Sequence, residues 1–164
     1  GGRAGGGRLR GSGRGTGCGA GSGPAGRGAI DSVPGGGIRG ARTAQANPAE
    51  AITEATAELL AELVRLNELQ IQEISFAYFT TTLDLGAEFP AYAARRMGWT
   101  SVPLLCGNDM VVPGPNPRSV PMCIRILLLY NTDKAQSEMK SAYLRGAQAI
   151  RADLDKTAQE LDPQ

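Results

Sequence analysis

The sequence predicts an α+β (α/β-like) fold: a small single domain over residues 37–155, with a mixed sheet and two to three helices. Three observations predict it. Ser119–Asp133 reads with period two as a strand. Ile52, Leu59, Leu63 and Leu66 recur at helical spacing behind Asn47-Pro48. Around these two stretches the pattern runs strand, helix, strand, helix, strand, strand, helix.

Taken in order, Gly37–Thr43 is short, flanked by glycines, and reads as the edge of a strand carrying Arg39. Asn47 then reads as a helix N-cap, with Pro48 at the first helical position and Glu50 placed for a capping box. Gln72–Thr82 is rich in Ile, Phe, Tyr and Thr and is expected as a strand, its three threonines serving as β-branched strand residues. Phe89-Pro90 opens a second helix that Gly98 stops. Trp99–Cys106 is expected as a strand, and Gly107–Pro117 as a loop with room for a short strand at Met110–Val112. From Lys134 to Leu154 the pattern is helical at first, with Met139, Tyr143 and Ala147 four residues apart, and residues 156–164 are expected to fray.

The strand within Ser119–Asp133 carries a single cation. Cys123, Arg125, Leu127 and Leu129 share one face; Met122, Ile124, Ile126, Leu128 and Tyr130 share the other. Both faces are apolar, which predicts cover on both sides. A guanidinium without a partner there would cost several kcal/mol, and arginine cannot shed its proton. An anion must meet Arg125, either a carboxylate of the chain or a bound ligand. The polar residues that could share its site are Arg39, Asp109, Tyr143 and Arg151, a set suited to a small polyanion rather than to proton transfer.

Charge divides the chain in two. Residues 1–37 hold 17 of the 23 glycines and five arginines against Asp31 alone, a net charge of +4; the remainder has 12 basic and 15 acidic residues, net −3. Residues 1–36 therefore read as a disordered Gly/Arg-rich leader. It reads as a dispensable linker, with an organelle transit segment as an open choice. An RNA-binding tail is a distant third, because no Phe or Tyr is interleaved to stack on bases. Gly21–Gly26 and Gly35–Gly40 match GxGxxG only as bare patterns, without the strand before and helix after that a dinucleotide site requires.

The chain contains no histidine, which excludes Ser-His and Cys-His nucleophile pairs and HExxH zinc chemistry. Cys18, Cys106 and Cys123 form no CxxC pair, so neither a metal site nor a disulfide framework is expected. No apolar run is long enough to span a bilayer, so no membrane partner is expected. Nor is a nucleic-acid partner. Arg42 and Arg96 read as solvated surface.

The pieces Gly37-Ile-Arg-Gly-Ala41, Phe89-Pro-Ala91, Gly98-Trp99, Val102-Pro103, Cys106, Cys123-Ile-Arg125, Tyr143-Leu144 and Arg151-Ala-Asp-Leu154 follow in an order and spacing that resembles the monofunctional chorismate mutases of the AroH class. The resemblance spans residues 37–154 and none of the leader. It implies a homotrimeric pseudo-α/β barrel with active sites between subunits, chorismate as substrate, no cofactor, and the isomerase reaction that leads through prephenate to phenylalanine and tyrosine.

Carried over by position, the resemblance implies Arg125, Asp109 and Cys106 as catalytic residues, with Arg125 at the ether oxygen and Cys106 and Asp109 at the ring hydroxyl. It implies Arg39 and Tyr143 at a substrate carboxylate, and Phe89 and Ala91 as an apolar wall from the neighbouring subunit. Arg95 falls at the cleft mouth, and Ile150 and Arg151 on a closing C-terminal segment. Two positions depart from the pattern: Asp109 stands where a glutamate is usual, and Tyr92 where a lysine often follows Phe-Pro-Ala. The rival reading is a catalytically inactive trimer of the same fold that binds a small dicarboxylate. The expected location is the cytoplasm, or the plastid stroma if the leader is a transit peptide.

Overall fold

The Arg125 strand is the middle of the sheet. In the computed structural model, which describes residues 35–116 and 118–161, it spans Cys123–Asn131 (β4) and pairs antiparallel with two neighbours. These are β1, Gly35–Thr43, and β2, Ile74–Thr81. Outside them lie β3, Leu104–Asn108, parallel to β2, and β5, Ala142–Leu144, parallel to β1. The order β3-β2-β4-β1-β5 makes a five-stranded mixed sheet. The helices are α1 (Ala49–Asn67), α2 (Pro90–Arg96) and α3 (Gln148–Leu161). All these elements lie within one compact unit, Val33–Gln164; of the leader expected to be disordered, Gly35 and Gly36 instead open β1, and residues 1–34 fall outside the described residues.

Alternation decides what each face does. Ile38, Phe79, Ile126 and Leu128 point to the face covered by α1 and α2, where they meet Leu59, Leu60, Leu63 and Trp99 in one core. Truncating any of these leucines to Ala would cost about 2–5 kcal/mol. The opposite face carries Arg39, Ala41, Tyr78, Thr80, Arg125, Leu127 and Tyr143, and is only partly covered, by α3. Cover on both sides of β4 is therefore not what the single chain shows. Leu127 is 45% exposed and Arg125 half-buried, because α1 and α2 lie on the other face and α3 covers only part of this one.

Other expectations are corrected. The first strand starts at Gly35, two residues before the expected Gly37, and β1 lies inside the sheet. Asn47 does not cap α1. Pro48 takes that place without a side-chain bond, and the Asn47 Oδ1 accepts from the Gly86 and Ala87 N–H groups at 2.9 and 3.2 Å, tying down the loop before α2. Gly98 does stop the second helix, at φ +92°. Trp99 is still tied to it, donating its N–H to the Ala94 carbonyl at 3.1 Å, so the next strand starts only at Leu104. Met110–Val112 is exposed loop.

The helical spacing of Met139, Tyr143 and Ala147 is coincidental, because Ala142–Leu144 gives its backbone bonds to β1. Arg145 then turns the chain at φ 55°, and α3 starts at Gln148 and continues through the expected frayed region to Leu161. Arg42 is not solvated surface: it is 6% exposed, and its guanidinium donates to Glu58 of α1. Arg145 pairs with the same carboxylate at 3.4 Å. Arg42 holds the Glu58 carboxyl below the ordinary carboxylate range, with Arg145 adding to the effect.

Candidate active site

Register builds the site. Arg125 lies directly across from Ala41 on one side and Thr80 on the other, and Ala41 in turn pairs with Tyr143. Arg39 follows one alternation along β1, opposite Leu127. The small side chain of Ala41 leaves space above the sheet, and α3 closes one side with Ile150 and Leu154. The result is a cleft of about 380 Å³ lined by Arg39, Tyr78, Thr80, Arg125, Tyr143 and Ile150, among others.

At its floor the Arg125 Nη1 lies 2.9 Å from the Asp109 Oδ2, with the aspartate side chain 11% exposed. The Thr80 hydroxyl donates to the other oxygen of Asp109. The Asp109 N–H donates to the Thr81 carbonyl at 2.9 Å, which fixes the acid just beyond the end of β3. The pair leaves Arg125 with capacity: its Nε is buried without a hydrogen-bond partner among the described residues. Such a donor carries a full desolvation penalty until an acceptor reaches it. Both predicted partners for Arg125, an internal carboxylate and a ligand anion, are thus compatible with one guanidinium.

The structure brings Arg39, Arg125, Tyr143 and Ile150 to the cleft, with Asp109 behind Arg125. Arg151 does not line it; it pairs with Asp155 one turn along α3 at 2.9 Å. Cys106 stands in register with Phe79 and packs on the helix-covered core beside Ala91. Burial pushes its thiol pKa up, while a backbone hydrogen bond from Ala91 and the charge of Arg95 act the other way. Phe89, Ala91 and Arg95 belong to α2 and its N-cap, on the side of β3 rather than of the cleft, and Phe89 is 66% exposed. Cys123 is a buried small hydrophobe beneath the cleft, against Ala41 and Ala147.

Sequence reasoning missed Thr80 and Tyr78. Both point into the cleft from β2, and the signal was their alternation with the core residues Ala77 and Phe79.

A positively lined cleft with a hydrogen-bonded acid can orient a small dianion and stabilise charge that develops on it. Comparison with known proteins narrows the class. The chorismate mutase type I family matches residues 36–154. The chain is 44% identical over 120 residues to the chorismate mutase AroH of Thermus thermophilus, covering 73% of this chain and 95% of that protein. It is 34% identical over 122 residues to chorismate mutase AroH of Bacillus subtilis, covering 74% and 93%. Among solved structures, a chorismate mutase from Clostridium thermocellum superposes with a TM-score of 0.64 at 46% identity, covering 68% of this chain and 96% of that one. With the family matched over most of its length, and two relatives above a third identity, this chain belongs to the chorismate mutase type I family.

Proposed function

We infer that this chain is an isomerase that converts chorismate to prephenate in the cleft above Arg125. Chorismate carries two carboxylates, a hydroxyl and an enol-ether oxygen. Its rearrangement breaks the C–O bond while a C–C bond forms within the same molecule, so it calls for no nucleophile and no proton transfer. The protein's part is to hold the compact reactive conformer and to place positive charge where negative charge develops. Arg125 meets the ether oxygen as that charge grows, and a preorganised donor of this kind is worth roughly 3–4 kcal/mol. Arg39 and Tyr143 bind one carboxylate. Asp109 holds Arg125 in line and faces the ring hydroxyl.

The active form in this reading is a homotrimer with sites between subunits. Two observations support it. Phe76, Tyr78, Leu105 and Leu127 leave an apolar strip uncovered on the cleft side of the sheet. Phe89 and Arg95 are exposed and sit apart from Arg125 in one chain, as residues that serve a neighbour's cleft would, with the buried Ala91 behind them. Arg95 then belongs to the mouth of the site, and Arg151 to the C-terminal segment that closes over it. A cytoplasmic address and a domain over residues 37–155 go with this reading.

The observation that carries the proposal is the buried, unspent Nε of Arg125 at the floor of a cleft shared with Arg39 and Tyr143. The test is the disappearance of chorismate followed by ultraviolet absorbance, with the full chain and with residues 37–164. Saturable turnover by both supports the mutase and separates it from the leader. Chorismate binding without turnover would favour the dicarboxylate-binding reading instead.

A further inference from the structure

Arg118, in the loop leading into β4, lines the same cleft as Arg39 and Arg125. Its backbone is held: the Arg118 N–H donates to the Asn116 Oδ1 at 2.9 Å, and the Ser119 N–H to the Asn116 carbonyl at 3.0 Å. From α3, Asp153 reaches back across the cleft, its Oδ2 3.4 Å from the Arg118 Nε. The two side chains are 71% and 42% exposed, so water screens the pair and it is readily rearranged. Its shortest approach is through Nε, at the edge of the guanidinium nearest the side-chain stem. No side-chain hydrogen bond holds the terminal nitrogens of Arg118 among the described residues.

A guanidinium fixed through Nε presents its two terminal N–H groups as a planar fork, which matches a carboxylate with two parallel hydrogen bonds. In the proposed reaction Arg125 serves the ether oxygen, and Arg39 with Tyr143 serves one carboxylate. Among the three cations that line the cleft of one chain, that leaves Arg118 for the second carboxylate of a dianion, whose entry without a cation is costly. We propose that Arg118 binds that second carboxylate, and that Asp153 is a positioning residue that orients the Arg118 guanidinium. The proposal rests on the reading of the cleft as a dicarboxylate site and adds the residue that makes it one.

The test uses the full chain and titrates prephenate, the dicarboxylate product, by calorimetry beside steady-state kinetics with chorismate. Arg118→Ala should weaken prephenate binding and raise KM by about tenfold or more, with kcat little changed, because one charge-assisted pair is lost. Arg118→Lys should fall between, since it keeps the charge but not the fork. Asp153→Ala should have a smaller effect, and the double variant should match Arg118→Ala. Prephenate binding unchanged in Arg118→Ala would overturn the proposal. So would equal losses in Arg118→Ala and Asp153→Ala, the mark of an ion pair that only fastens α3. Prephenate binding that depends on Arg118 in a protein that does not turn over chorismate would sustain this proposal and sink the mutase reading.

Discussion

Asp109 and Arg125 form the one ion pair at the cleft floor, 2.9 Å apart, and each leaves a buried atom outside hydrogen-bonding geometry, Oδ2 on the acid and Nε on the base. The pair is therefore close but not optimal. Asp109 is the more deeply buried partner, 11% exposed against 38%, and it takes a second bond from Thr80. The aspartate is thus held by two neighbours, while the arginine faces the cleft with its Nε to spare. An ion pair built only for stability would use both groups fully.

That asymmetry separates stability from catalysis. Arg125→Ala should lower turnover by at least about 10²-fold, the scale of losing one preorganised donor. It should also lower the melting temperature, because Asp109 is left charged and unpaired. Adding Asp109→Asn should restore most of the stability and none of the activity. Calorimetric melting of both variants beside the chorismate assay checks this; activity that returns together with stability would assign Arg125 a structural role.

Thr80 lies across from Arg125 and binds the acid that binds it. Thr80→Val keeps the β-branched shape and removes only the hydroxyl. The Asp109 Oδ1 then loses its donor, a change worth about 1–3 kcal/mol in stability. Activity should fall several-fold but far less than in Arg125→Ala, and Thr80→Ser should recover it. The ratio of kcat across the three variants is the measurement, and a Ser variant as poor as Val would discount the hydrogen bond.

Much of this was legible from residue order. Period two put Arg125 on a strand and assigned its neighbours to faces, because alternation is a local property of extended chain. The same rule could not say that one apolar face is left open within a single chain, since Leu127 and Leu105 look like core residues whoever covers them. Asn47 looked like a helix cap because the cap signal is local, whereas the amides it serves lie about 40 residues away in the loop at Gly86. Strand β5 was hidden by apolar residues that happened to fall at helical spacing, and its pairing with β1 is a long-range fact. Arg42 looked like surface because nothing in its own stretch announces Glu58, 16 residues on. Arg118 stood in a proline-rich loop, where no periodicity assigns a direction to a side chain.

Glu58 predicts a pH dependence of stability. Its carboxyl titrates below the ordinary range in the folded chain, chiefly through the Arg42 hydrogen bond. A carboxylate with a lowered folded pKa stabilises fully above its unfolded pKa, near 4.3–4.5, and loses that contribution as pH falls through the lower folded value. Glu58→Gln should therefore melt about 2–4 °C lower than the wild type at pH 7, and the gap should narrow as pH falls below the unfolded value and close once the lowered folded value is passed. Melting curves from pH 7 to pH 3 decide it, and a gap that persists at acid pH would mean that shape, not charge, is what Glu58 contributes.

Leu105 tests the assembly without touching the cleft. Its side chain is 65% exposed on β3, in the apolar strip with Phe76 and Leu127, and it is not among the cleft-lining residues. An exposed apolar strip of this kind marks a contact surface, and burying it against another chain gains about 25 cal/mol for each Å² removed from water. A carboxylate placed there would have to be buried unpaired in the assembly but would be well solvated in a lone chain. Leu105→Asp should therefore leave the fold intact by circular dichroism and shift the protein to monomer by light scattering. If Phe89, Ala91 and Arg95 serve a neighbour's cleft, the monomer should also be inactive, and activity should rise again with protein concentration as subunits reassociate. A fully active Leu105→Asp monomer would show that one chain holds a complete site, with Arg39, Asp109, Arg118, Arg125 and Tyr143 as the polar machinery the reaction uses.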